Sequence, residues 1–397
     1  MTNRNGRREF LKGSAALGLA AGAVPVVNAQ ETRNRLALSA YGERSLYVKS
    51  VRISDGHENC SFASDCNTLT PLQDTYGIIT PSALHFSSAH GAYPPDINPD
   101  EFEFFVHGMV DRPLKFSLAE LKRLPFVSRI MYIECEANYP APEDTTVQHT
   151  HGKVSCSEWT GVPVELVLKE CGIQSGAKWV ICEGLDRDRH SKSIPLASLM
   201  KGALLAYGQN GEPLRPHQGF PLRIVVPGAG GFSNVKWIHR MRLADKPYLT
   251  PFERFSELYA PKSVITYPSG GQQLEGKGFY AISGIAWSGR GAIKTVDVST
   301  DGGKNWKEAK LESPVLPAAF TRFSLDWNWN GNESILMSRA RDDQGNVQPS
   351  PEEVAKELNA SLEDVKTNKV RSPVTQWNMI FPWRVAQDGG VHNALYT

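Results

Sequence analysis

Cysteine is scarce in this chain, six residues in 397, and none of the six opens a Cys-x-x-Cys-His run, so no covalently attached haem is expected in this polypeptide. Net charge is nearly absent as well. Lysine and arginine number 43 against 42 aspartates and glutamates, a formal balance of +1, and no basic run interleaved with aromatics interrupts it. That sets a nucleic-acid partner aside. No stretch reaches the roughly 18 to 20 strongly apolar residues that a membrane span requires, so none is expected in the mature chain. With 41% hydrophobic and 21% charged residues, what remains is ordinary globular material, long enough for two or three domains each with its own core.

The first thirty residues read as something other than fold. Arg7-Arg8-Glu9-Phe10-Leu11-Lys12 precedes a weakly apolar, Ala- and Gly-rich run from Gly13 to Val27, and Val27-Asn28-Ala29 has the small-x-small pattern of a cleavage site. Residues 1–29 are read as a cleaved twin-arginine signal peptide, which places the mature protein in the periplasm. Export of an already folded protein suits a chain that takes up a bulky cofactor before it leaves the cytoplasm. Residues 30–70 are read as an N-terminal extension, in which Cys60 and Cys66 either close a small disulfide loop or stay free. Cys171 and Cys182 flank a turn and read as buried thiols. Of Cys135 and Cys156, only Cys135 sits where an apolar strand, Val127 to Ile133, gives way to a loop.

That cysteine is the centre of the argument. A thiolate at the end of a buried strand can ligate a soft metal. Ahead of it lie Leu84-His85-Phe86-Ser87-Ser88-Ala89-His90-Gly91, read as extended chain, then an alternating strand from Phe102 to Val110 and a capping-box helix start at Ser117-Leu118-Ala119-Glu120. Behind it, Tyr139 to Gly152 has little periodicity and reads as loop. His149 and His151 in that loop have no cysteine or carboxylate at conventional spacing, so zinc is not expected. A helix through Glu170 stops at Gly172, and Gln209-Asn210-Gly211-Glu212 is a hairpin turn. Next, Gly219-Phe220-Pro221-Leu222-Arg223 enters a strand from Ile224 to Val226, the chain turns through Pro227-Gly228-Ala229-Gly230-Gly231, and Asn234-Val235-Lys236-Trp237 follows. Glycines permit close backbone approach, while Arg223 and Lys236 offer the fixed positive charge that holds a phosphate-bearing ligand.

Taken in order, these segments resemble the sulfite-oxidase family of molybdopterin enzymes, and within it the sulfane dehydrogenase group. The resemblance implies a mixed α+β molybdopterin domain over residues 71–258 and an all-β immunoglobulin-like dimerisation domain over 259–397. It implies Cys135 as the protein ligand to molybdenum, with Phe86, His90, Asp186, Gln218, Arg223, Asn234, Val235 and Lys236 around the pterin. Gln218 stands where many family members have histidine. A family tyrosine near the metal falls to Tyr259, with Tyr207 as second candidate. Two departures bear on substrate. Family members place an arginine where this chain has Ser88, and follow the metal cysteine with Ala-Gly-Asn-Arg-Arg, where this chain has Glu136-Ala137-Asn138-Tyr139-Pro140. A dianion entering a desolvated pocket without those cations would be disfavoured. Arg187, Arg189, His149 and His151 are candidate compensators; otherwise the substrate is neutral or is sulfur carried on a partner protein.

From Lys262 onward the pattern is strand-like. Phe279 to Trp287, Ile293 to Ser299, Phe320 to Trp327 and Ser334 to Arg341 alternate, Asp301-Gly302-Gly303 is a tight turn, Glu352 to Leu358 is a short helical insertion, and Trp377 to Val385 reads as the closing strand. The function implied is transfer of oxygen to a reduced sulfur compound with electrons passed to a separate c-type cytochrome, in a homodimer. Two alternatives remain at this point: a molybdopterin enzyme acting on a non-sulfur small molecule or as a reductase, and a cofactor-binding homologue without turnover.

Overall fold

The run Ile130-Met131-Tyr132-Ile133-Glu134 is the buried end of a strand, Val127–Glu134, whose exposed start gives way to four consecutive buried residues. Burial on both faces is what a continuous apolar run demands. The strand lies antiparallel to Val154–Pro163, with Ile133 opposite Ser155 and Glu134 opposite Val154. Val154–Pro163 in turn pairs with Leu204–Gln209, which carries Arg223–Val225 and Glu212–Pro213 on its other side. A second sheet runs in the order Leu114–Ser117, Glu103–Gly108, Ile238–Ala244, Trp179–Gly184, Ser191–Pro195, its Glu103–Gly108 and Ile238–Ala244 pair parallel and the rest antiparallel. Phe104, Val106, Val180 and Met241 from this sheet meet Val162, Leu205 and Ile224 from the first, with the helix Val164–Cys171 contributing Val167 and Leu168.

The structure, a computed structural model, describes residues 45, 47–54, 67–88, 94–186, 189–248, 258–370 and 376–396. The signal-peptide reading, the Cys60–Cys66 pairing, His90 and Arg187 lie outside the described residues. Residues 50–397 form one compact unit, and residues 1–49 another.

The C-terminal part is a sandwich. One sheet runs Lys262–Tyr267, Gly278–Trp287, Thr321–Trp329, Lys310–Leu311; the other runs Lys307–Glu308, Ile293–Ser299, Ser334–Asp342, Trp383–Val385, Val391–Asn393. Ile282, Ile285 and Trp287 face Val296, Val298, Leu336 and Trp383, and this core continues without a break into Tyr132, Val154 and Cys156 of the N-terminal sheets. The fold is therefore mixed, with few helices and many strands, as expected.

Local departures from the sequence reading have physical causes. The segment before Ser87 is not simply extended: Pro71 and Pro81 each precede a 3-10 turn, Leu72–Asp74 and Ser82–Leu84, because the ring fixes φ for tight turning. The stretch Tyr139 to Gly152 contains a short helix, Val147–His151, buried on most of its surface. The closing strand is confined to Trp383–Val385, since the preceding Pro382 supplies no ladder donor.

The two parts approach each other closely at Gly228 and Gly289. A Cβ on Gly228, which has φ +71°, would stand 2.4 Å from the Gly289 Cα. Gly228→Ala is therefore expected to destabilise the fold by about 2 kcal/mol through combined backbone strain and overlap, read as a lower urea midpoint with unchanged slope.

Candidate functional site

The strand end delivers Cys135 into a turn. Its N–H continues the ladder to Lys153 O at 2.9 Å, and its carbonyl accepts from Asn138 N at 3.1 Å, closing the turn with the thiol at the tip. Burial pushes the thiol's pKa up, while the Ala137 N–H, the Lys153 charge and the Ser88 hydroxyl each oppose that shift. Gly231 lets the following loop approach: a Cβ there would stand 3.2 Å from the Cys135 Cα. The result is an open cleft whose walls include Cys135, Phe86, Ser88, Arg223, Val235 and Lys236.

Arg223 is 3% exposed. Its Nη1 donates to Gln218 O at 3.0 Å and to Gln218 Oε1 at 3.2 Å, its Nη2 donates to Asn234 O at 3.1 Å, and the guanidinium lies 4.8 Å from the Trp159 ring centroid. Its Nε has no partner, and among the described residues no carboxylate pairs with it. Burial alone lowers its pKa to about 9. Lys236 points its ammonium at Ser88 O, 3.0 Å, and His217 O, 3.2 Å. Burial, then the neighbouring Arg223, lowers its pKa to about 7, against the pull of Asp186 and Cys135. Two cations so placed, facing carbonyls rather than carboxylates, are a site prepared for an anion.

The remaining predicted residues divide by what their side chains do. Gln218 Nε2 donates to Phe86 O at 2.8 Å and so ties the Phe86 segment to Arg223. Asp186 Oδ1 accepts from His190 N at 2.7 Å on the cleft wall. Asn234 lines the cleft, yet its side chain braces the glycine turn: Oδ1 accepts from Val226 N at 2.8 Å, and Nδ2 donates to Gly230 O at 3.0 Å. Tyr259 is 2% exposed and lies behind the cleft, its hydroxyl against Gly230; burial, then the charges of Glu134, Cys135 and Glu136, push its pKa well up. Tyr207 is not brought to the cleft. Its ring lies 5.6 Å from the Lys122 ammonium at the far side of the first sheet.

His85 was missed by sequence reasoning. It is 1% exposed; Nδ1 donates to Phe86 O at 2.9 Å, and Nε2 on the cleft side has no partner among the described residues. Desolvation, partly opposed by that bond and aided by Arg223, Arg52 and Lys236, lowers its pKa to about 3, so Nε2 is an acceptor at neutral pH. The available signal was a second histidine five residues before His90, directly against Phe86. His190, His217 and Phe232 also line the cleft. The described candidate compensators do not: Arg189 Nη1 is 3.5 Å from His239 Nε2, His149 Nδ1 bonds Thr146 Oγ1, and His151 Nδ1 bonds Thr150 Oγ1. An adjoining cavity holds Glu136, Tyr139 and Arg290, whose Nε donates to Leu258 O at 3.2 Å.

Among the described residues no three His, Cys, Asp or Glu side chains gather as a metal-binding set. A metal on Cys135 would have to bring its other ligands with it. A pterin dithiolene with a phosphate tail fits this lining: Arg223, with its unpartnered Nε, and Lys236 would hold the phosphate, and His85, with its unpartnered Nε2, would offer an acceptor to the ring system.

Residues 90–252 match the family model "Oxidoreductase molybdopterin binding domain", and residues 256–366 match "Mo-co oxidoreductase dimerisation domain". The crystal structure of the sulfane dehydrogenase SoxCD from Paracoccus pantotrophus superposes with a TM-score of 0.80 at 32% identity, covering 94% of this chain and 95% of that one. Mitochondrial sulfite oxidase from Homo sapiens is 32% identical over 324 residues, 69% of this chain and 58% of the relative. Nitrate reductase [NADH] 1 from Arabidopsis thaliana is 31% identical over 69% of this chain and 36% of its own length. The chain thus spans little more than half the length of the curated sulfite oxidases it matches. It belongs to the sulfite-oxidase family of molybdopterin oxidoreductases, and over nearly its whole length it is similar to the sulfane dehydrogenase.

Because the folded pKa of Lys236 lies near 7 against an ordinary 10.5, the unfolded chain holds more protons between those values, and stability of the cofactor-free protein rises with pH through that window. Lys236→Met is expected to abolish a gain of about 1 kcal/mol or more between about pH 7 and 9, measured by urea titration.

Proposed function

We propose that this chain is a periplasmic molybdenum oxidoreductase that oxidises a reduced sulfur compound, either sulfite or sulfane sulfur borne by a partner protein, and passes electrons singly to a separate c-type cytochrome. The observation that carries the reading is one cleft that combines a single thiol, Cys135, with a buried Arg223 and a partly buried Lys236, neither of which has a carboxylate partner among the described residues. Similarity to sulfite oxidases and to the sulfane dehydrogenase supports the substrate class. The periplasmic site rests on the twin-arginine sequence, and the homodimer on the dimerisation-domain match.

When bound, molybdopterin supplies two-electron oxygen-atom chemistry toward a sulfur lone pair. The chain's own residues hold, orient and shield. Cys135 would ligate the metal. Arg223 and Lys236 would neutralise the phosphate, with Gln218 keeping the guanidinium in place, and Phe86, Asp186, Val235 and the Asn234 carbonyl walling the pterin. His90, outside the described residues, would contact the pterin as the family resemblance implies. Tyr259, whose proton is held firmly by burial and by carboxylate charge, acts as a hydrogen-bond donor rather than as a base.

Ser88, Tyr139 and Pro140 stand where the family supplies arginines, and none of the described compensators reaches the cleft. That electrostatic poverty favours sulfur that arrives neutral or attached to a protein over a free dianion. Similarity to nitrate reductases supports a second reading, reduction of a non-sulfur oxyanion by the same centre.

Protein expressed in a host that makes the cofactor is expected to carry near-stoichiometric molybdenum and to reduce oxidised cytochrome c with sulfite or thiosulfate, whereas Cys135→Ser retains the metal complex and does not reduce the cytochrome. Molybdenum without cytochrome reduction, together with nitrate-dependent reoxidation of the reduced enzyme, would select the second reading; absence of the metal would sink both. Tyr259→Phe is expected to lower kcat by roughly tenfold or more and to alter its pH profile, checked by steady-state kinetics.

A further inference from the structure

Immediately before Cys135 sits a carboxylate that the cleft does not use. Glu134 is 1% exposed, and both its oxygens are fully engaged by side chains. Oε1 accepts from Lys262 Nζ at 2.8 Å and Asn138 Nδ2 at 2.9 Å; Oε2 accepts from Trp287 Nε1 at 2.8 Å and Gln376 Nε2 at 3.0 Å. Three of those four donors belong to the C-terminal sandwich. Lys262, wholly buried, also donates to Asn138 O at 3.1 Å, so one ammonium grips both the first and the last residue of the turn 134–138. Its cation lies 5.7 Å from the Trp287 ring centroid and 5.6 Å from that of Trp377, walled off from water. Asn138 completes the frame, accepting from Lys153 N through Oδ1 at 3.0 Å while its own N–H bonds Cys135 O.

Nothing in that arrangement touches the cleft, and a stable fold would be served as well by apolar packing, since a buried ion pair seldom gains stability over a hydrophobic replacement. What it does provide is direction. The hydrogen bonds fix two points of a five-residue turn from the neighbouring sandwich and leave the thiol as its free tip.

We propose that Glu134 and Lys262 are positioning residues for Cys135: the pair transmits the placement of the C-terminal sandwich to the metal-ligating sulfur, and sets its angle and reach. The inference rests on Cys135 being the ligand. Lys262→Met keeps the length of the side chain and removes the grip. In cofactor-free protein, alkylation of the Cys135 peptide by iodoacetamide, followed by mass spectrometry, is expected to accelerate roughly tenfold or more as the turn loosens. In loaded, partly reduced protein the molybdenum EPR g values are expected to shift. Trp287→Phe, which deletes one donor and keeps the ring, shifts both readouts in the same direction by less. Trp383→Phe, which removes an indole bond to Ile265 O elsewhere in the sandwich, shifts neither.

Folded Lys262→Met with wild-type alkylation and wild-type g values overturns the proposal. If that variant does not fold, Trp287→Phe decides by the same rule, and a response of Trp383→Phe equal to that of Trp287→Phe also overturns it, since the effect would then be general loosening. Cys135→Ser separates the two levels of the argument. Unchanged g values in that variant remove Cys135 as ligand and the functional reading with it; changed values there, beside unchanged ones in the positioning variants, remove only this inference.

Discussion

A guanidinium held among backbone carbonyls and one indole face, with no carboxylate beside it, costs free energy until an anion arrives. Arg223 is held in that state by Gln218 O, Asn234 O and Trp159, and Lys236 meets two more carbonyls across the same cleft. Much of the surrounding construction serves to keep this arrangement in place. Gln218 bridges to the Phe86 segment, Asn234 spends its side chain on the glycine turn, and that turn leaves room beside Cys135. The protein thus carries positive charge without a carboxylate partner among the described residues, which a phosphate-bearing cofactor would neutralise.

The thiol and the cations do different work. Positive charge selects a class of ligand from a distance; the sulfur fixes one atom of it. With a single sulfur and no cluster of further donors among the described residues, the reactivity at the centre is set by what the cofactor brings and by the field around it. That field is thin on the substrate side. A hydroxyl at position 88 bonds to the sulfur where the family places a charge, and Arg290 is the cation of a separate cavity reached from the sandwich.

Residues joined by local sequence were legible before the structure. An apolar run ending at a cysteine, a Gly-Phe-Pro-Leu-Arg entry to a strand, a capping box at Ser117, and alternation from Phe279 to Arg341 each announce an element through propensity or period, and those elements formed within a residue or two of the expected bounds. What could not be read depends on contacts across long intervals. His85 becomes an acceptor only because Trp159 and Arg223 bury and surround it. Tyr207 and Tyr259 look alike in sequence, and only packing sets one beside the Lys122 ammonium and the other behind Gly230. Glu134 reads as a polar strand terminus; its four partners lie between 4 and 242 positions away.

Those intervals have a consequence during synthesis. The last of the donors to Glu134 is Gln376, so the turn that carries the sulfur cannot acquire its full frame until nearly the entire polypeptide has left the ribosome. A chain interrupted after its first sheets would contain the cysteine, the arginine and the lysine, yet of the four donors to Glu134 only Asn138 would be there. The frame of the sulfur-bearing turn is a property of the finished polypeptide.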